Sequence, residues 1–151
     1  EQSQKSFISS TFWTERVGPT AALKTLEIME RMKSWKIISN KGKIFKKKLN
    51  ELGNKYNLPI NIFGNNGIPS FSFTSKKNLE YKTLITQEML KSNILASNLI
   101  YISTTHNNQN INYYFKTLEP IFEKIADCEN GYNIKKLLDG PVCHSTFKRL
   151  N

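Results

Sequence analysis

The sequence predicts a small α+β domain, with helices packed on one face of a small, mostly antiparallel sheet. Three observations lead there. Apolar residues recur at helical spacing in the first third of the chain and again after residue 110, while the middle alternates with a period of two. The length of 151 residues suits one core of ordinary size without a disulfide or metal staple. No internal repeat or low-complexity linker divides it.

The elements follow in order. Over residues 18 to 33, Gly18 and Pro19 open a helix, Pro being tolerated where its missing donor would be unpaired anyway. Ala22, Leu26 and Met29 mark one apolar stripe. A short turn at Ser34 leads to a second helix from Trp35 to Tyr56, with Ile38, Phe45, Leu49 and Leu52 on its stripe and Leu58-Pro59 ending it. Ile60 and Ile62 then alternate, GNNG (Gly64 to Gly67) supplies turn residues, and Phe71 and Phe73 alternate with Ser70, Ser72 and Thr74. This is a strand, turn, strand signal. Asn78 is expected to cap a helix from Leu79 to about Ser92, and Ile94 to Ile102 to form one or two short strands. Ile111, Tyr114, Phe115, Leu118, Ile121, Phe122 and Ile125 give the clearest helix, with Pro120 inside it predicting a kink or an early end. One helical turn is expected near Ile134 to Leu138.

With 22 Lys+Arg against 12 Asp+Glu, the formal net charge is +10. Such an excess raises the alternative of a basic nucleic-acid-binding module using the Lys41 to Lys48 face, since phosphate neutralisation supplies most non-specific binding. Lys41, Lys43, Lys46, Lys47 and Lys48 are, however, interrupted by Ile44, Phe45 and Leu49 at helical spacing. The solvated outer face of an amphipathic helix is the plainer explanation of such a run. No apolar stretch has the length of a membrane span, the opening EQSQKSF carries no signal-peptide core, and the two cysteines fit free thiols in a reducing, cytoplasmic setting. The abrupt polar start without Met leads us to expect a boundary cut through a longer protein.

Chemistry is sparse. His106 in TTHNNQN reads either as a base or ligand or as a turn residue before a helix. Cys143 and His144 are adjacent and lack partners at a zinc spacing, as does Cys128, so no metal site is expected. Phosphate-loop, dinucleotide and metalloprotease motifs are absent, and no catalytic residue is assigned. What remains is Ser9, Ser10 and Thr11, hydroxyls before a helix, which are ordinarily caps but which can also hold a phosphate.

The stretch SSTFWTERVGPTAALKTLEIM resembles the segment that, in class III (fold type I) pyridoxal-phosphate-dependent aminotransferases, follows the Schiff-base lysine and enters the small C-terminal domain. The resemblance continues through FGNNGIPSFSF and ISTTHNNQNINYYFKTLEPIFEKI to Ile125, and is nearest to the glutamate-1-semialdehyde 2,1-aminomutase branch. It implies the small α+β C-terminal domain of a fold type I transferase. Residues 1–17 would then be a cofactor-phosphate and interface segment, 18–127 the small domain, and 128–151 a tail. Pyridoxal 5'-phosphate is the implied cofactor, with Thr11, and Ser10 beside it, contacting its phosphate across a homodimer interface. Trp13, Glu15 and Arg16 replace the family's usual Gly-Asn-Pro and are candidate substrate contacts. The position aligned with a carboxylate-clamping Arg in many relatives is Tyr101, so that clamp is absent. A small amino-acid or amino-sugar-like substrate is implied, as is an N-terminal large domain that supplies the cofactor lysine and the ring-nitrogen partner. The resemblance therefore implies an aminotransferase or aminomutase of which this chain alone is inactive.

Overall fold

The computed structural model describes residues 15–145. The chain divides into two units, residues 1–35 and 36–151. In the first, helix α1 (Val17–Met32) begins where the Arg16 carbonyl accepts the Thr20 N–H at 3.0 Å. It ends at Lys33, whose φ of 52° turns its N–H back to the Glu30 and Met29 carbonyls. None of its residues is buried: Leu23 and Leu26 are 70% and 60% exposed. A helix this apolar on one side normally has that side covered.

The second unit carries most of helix α2 (Ser34–Lys55), strands β1 (Ile60–Phe63) and β2 (Ser70–Phe73), helices α3 (Asn78–Lys91) and α4 (Asn108–Glu129), and a 3-10 turn at Ile134–Lys136. β1 and β2 pair antiparallel, with Ile60 opposite Phe73 and Ile62 opposite Phe71. Alternation therefore puts all four apolar side chains on one face. Phe71 and Phe73 are buried there, and both rings meet Phe122 of α4, at centroid distances of 6.2 and 5.4 Å. α2 adds Phe45, Leu49 and Leu52, and α3 adds Tyr81, Leu84, Ile85 and Met89. The fold is α+β, as the sequence predicts.

Helix α4 buries eight residues from Ile111 to Cys128. It begins earlier than its apolar stripe, because Asn107 is the cap: its Oδ1 accepts the Asn110 N–H at 2.8 Å. The early end expected at Pro120 does not occur, and the helix runs on to Glu129. Pro120 lies on the exposed face, where the carbonyl that loses its partner one turn earlier is open to water.

Two further expectations change. Asn78 is the first residue of α3 rather than its cap, and its Oδ1 accepts the Phe73 N–H at 2.9 Å, fastening the end of the hairpin to the helix. The segment 94–102 is not a regular strand. It runs alongside residues 67–71, with Phe71 N–H donating to Asn98 O, Ile100 N–H to Pro69 O and Ile102 N–H to Gly67 O, but it forms only one bridge, Ser70 to Leu99. Pro69 has no N–H to return, which interrupts a ladder at that point.

The hairpin loop is pressed against α2. Asn65 Oδ1 accepts the N–H groups of Gly67 and Ile68, Asn66 Nδ2 donates to Ser39 Oγ, and Gly64 takes a φ of 78°. This brings the Asn66 backbone so close to Gly42 that a Cβ there would sit 1.7 Å from the Asn66 carbonyl oxygen. Backbone on both sides cannot move aside as a side-chain tip would. Gly42→Ala is therefore expected to lower stability by about 3 kcal/mol, at the upper end for overpacking. A urea midpoint that stays at the wild-type value with an unchanged slope would contradict this contact.

Candidate functional site

The residues singled out from the sequence fall into two groups. Ser10, Thr11 and Trp13 lie outside the described residues. Glu15 and Arg16 are exposed and lead into α1.

A concavity of the second unit lies elsewhere. A cavity of about 460 Å³ opens between the 93–101 segment and the N-terminal half of α4. Tyr101 is on its wall and 68% exposed. Phe45 and Ile111 line its apolar side, and Tyr113 is fixed there by donating its hydroxyl to the Ser92 carbonyl at 3.0 Å. No Lys, Arg, Asp or Glu lines it. Such a site favours neutral ligands, because nothing on its wall compensates the desolvation of an ion.

His106 also lines this cavity. It sits in the turn before α4, as the plainer of its two readings expects, and its Nδ1 accepts the Ser103 N–H at 3.2 Å. That bond leaves the proton on Nε2, so the ring offers the cavity a donor. Tyr114, from the next turn of α4, has a hydroxyl with no hydrogen-bond partner among the described residues, and burial pushes its phenol above its ordinary range. Neither the cavity nor the orphaned hydroxyl was legible in the sequence. Both arise where the fold lays residues 93–101 beside the start of α4.

The described residues do not by themselves house pyridoxal phosphate. The cavity offers no lysine for covalent attachment and no arginine for a phosphate. In a shallower recess nearby, Lys55 pairs with Glu119, and this hydrogen bond and charge raise the Lys55 pKa. A lysine that forms an imine needs the opposite shift.

The lysine run is largely engaged within the fold. Lys41 Nζ donates to the Thr104 carbonyl at 2.6 Å, Lys46 Nζ donates to the Gly64 carbonyl at 2.7 Å, and Lys48 lies over the Phe115 ring at 5.6 Å. Lys47 is 3.8 Å from Glu51. This favours the structural explanation of the run over a phosphate-binding face. No group of three or more metal-ligating side chains occurs among the described residues, and no described helix is long and apolar enough to cross a membrane.

The thiols are free: Cys128 is buried in the core, and Cys143 is tied to α3, its N–H donating to Thr83 Oγ1 at 3.0 Å. A neighbouring polar cluster secures the same region. Gln87 accepts the Asp139 N–H and donates to the Leu137 carbonyl, while Lys91 pairs with both Glu88 and Asp139.

No protein-family model matches the chain. A curated protein described as 3-aminobutyryl-CoA aminotransferase, from Cloacimonas acidaminovorans (strain Evry), is 29% identical over 139 residues. The alignment covers 89% of this chain and 31% of that protein. A solved structure, the PLP internal aldimine form of the FumI protein of Sphingopyxis sp. MTA144, superposes with a TM-score of 0.72 at 15% identity. It covers 89% of this chain and 33% of that one. The chain is similar to the C-terminal part of a pyridoxal-phosphate-dependent aminotransferase. It spans about a third of the length of the proteins it matches, and its α+β fold is that of the small domain expected from the sequence.

The polar cluster on α3 makes stability depend on pH. Burial opposes ionisation of Glu88, but hydrogen bonds from Lys124 at 2.6 Å, Lys91 at 2.7 Å and Gln87 outweigh it and hold the carboxyl at about 2, from 4.5. A folded-state pKa below the unfolded one stabilises fully above pH 4.5, and the contribution fades as pH falls through about 2. Its size is about 3 kcal/mol at most. Glu88→Gln should cost stability at neutral pH and flatten the acid limb between those values, measured by urea unfolding across pH. An unchanged acid limb would show that the cluster contributes nothing.

Proposed function

We propose that the chain is the C-terminal part of a class III aminotransferase or aminomutase of the glutamate-1-semialdehyde aminomutase-like type. Its role is binding and closure rather than bond chemistry. The observation that carries this reading is the coincidence of two alignments: sequence likeness to an aminotransferase and structural likeness to a PLP enzyme each span 89% of this chain and about a third of the other protein. The remaining two thirds of such an enzyme would bring the cofactor lysine, the ring-nitrogen partner and the cover for the exposed apolar side of α1.

In this reading the complete enzyme is a cytoplasmic homodimer. Thr11, with Ser10 beside it, donates to the cofactor phosphate of the neighbouring subunit. Trp13, Glu15 and Arg16 would be the contacts to the substrate. The cofactor, when bound, supplies the electron sink for amino-group transfer. The chain's own residues hold its phosphate and enclose the substrate.

The substrate is one without a carboxylate that needs an arginine clamp at Tyr101. The relative named for 3-aminobutyryl-CoA is suggestive here, because that compound carries its carbonyl as an uncharged thioester.

Two measurements test the reading. The 151-residue chain mixed with pyridoxal phosphate should show no visible cofactor band that survives dialysis and becomes fixed to one of its lysines by borohydride. The protein encoded together with the upstream reading frame should show one, and Thr11→Ala in that protein should retain cofactor about tenfold less tightly, as expected for loss of a hydrogen bond to a charged group. A dialysis-stable adduct on a lysine of the isolated chain would overturn the assignment.

A further inference from the structure

The cavity beside the start of α4 has a composition that selects its ligand. Its volume of about 460 Å³ is within the range of small-molecule sites, about 300–1,000 Å³. Phe45 and Ile111 give it apolar walls, and Tyr101 stands exposed on its wall. Among the polar groups on those walls, one is fixed as a donor. His106 has its Nδ1 occupied by the Ser103 N–H and so presents Nε2–H, and Tyr101 adds a hydroxyl. Tyr113 cannot compete, because its own hydroxyl already donates to Ser92. The amides of Asn93 and Asn110 and the hydroxyls of Ser97 and Tyr114 complete the polar part of the wall. A carboxylate entering would lose its hydration with no cation to replace it, and an ammonium would meet no carboxylate. A neutral group with an acceptor loses little and gains a donor.

We infer that this cavity is a subsite for the uncharged, carbonyl-bearing portion of the amine substrate, with the Nε2–H of His106 as its donor. The inference rests on the aminotransferase reading for the word substrate, but not for the binding itself. His106 thereby acquires a task beyond its place in a turn. Tyr101 becomes a wall of a neutral subsite instead of the missing half of an ion pair. Ring or acyl groups suit the space, since Phe45 and Ile111 can cover a flat or branched apolar body while its carbonyl turns towards the histidine.

The test uses three probes of one shape and different charge, benzamide, benzoate and benzylammonium, titrated into the ¹⁵N-labelled 151-residue chain. Benzamide should give saturable amide shifts confined to residues 93–101 and 106–114, and should bind at least tenfold more tightly than either ion. His106→Phe, which keeps a ring on the wall but removes the donor, should weaken benzamide about fivefold, the usual effect of one hydrogen bond. Should that variant lose its dispersed spectrum, the charge series in the parent chain decides alone. Absence of saturable shifts in those segments, or benzoate binding as tightly as benzamide, would overturn the inference. Neither result depends on cofactor, so failure here is separable from failure of the aminotransferase reading.

Discussion

The buried face of α4 is the constraint on which the second unit depends. From Ile111 to Cys128 it presents one continuous apolar stripe, and each part meets a different element. Phe115 and Tyr114 pack on Phe45 of α2, with centroids 5.2 and 5.4 Å away, and Phe122 reaches both phenylalanines of β2. Because a helix is stiff, these contacts are not independent. Packing Phe122 against the hairpin fixes the rotation of the helix, and that rotation places Ile111 and Tyr114 on the cavity wall. Core and cavity are thus two consequences of one helical phase.

That phase is visible in the sequence, which is why the helix was legible. Its stripe has seven apolar residues at three- and four-residue steps, enough to outweigh an interior proline whose deficit falls on the exposed side. The 94–102 segment shows the opposite case. Its apolar residues read as extended, and extended it is, but whether an extended segment completes a ladder depends on the partner. Pro69 on that partner has no donor, a fact of pairing and not of the segment's own residues. Asn78 misleads for a related reason, since its side chain serves the backbone of Phe73, five residues earlier, rather than the helix it begins.

The candidate site was legible only in part. The Ser10 and Thr11 segment carried a family resemblance, while its residue types alone would have been read as helix caps. Tyr101 was noticed for what it is not, an arginine. The significance of His106 required the structure, because a histidine in a turn acquires directionality only once Nδ1 is seen to accept the Ser103 N–H. The net charge of +10 was the most conspicuous sequence feature and the least informative. Lys41 and Lys46 donate to backbone carbonyls of neighbouring loops, and such lysines position loops instead of waiting for a polyanion.

Electrostatics separates the charged ties of the fold from its neutral concavity. A covalent lysine must be neutral at working pH, which burial or a neighbouring cation achieves and a carboxylate partner prevents. Lys55 and Lys91 both have carboxylate partners and raised pKa values, Glu119 acting on the first, Glu88 and Asp139 on the second. These charges are arranged to remain charges, as ties between helices or between a helix and the segment that follows it. The cavity beside the start of α4, in contrast, is lined without Lys, Arg, Asp or Glu. A fold that keeps these ions in structural pairs and leaves this concavity neutral can discriminate ligands by desolvation.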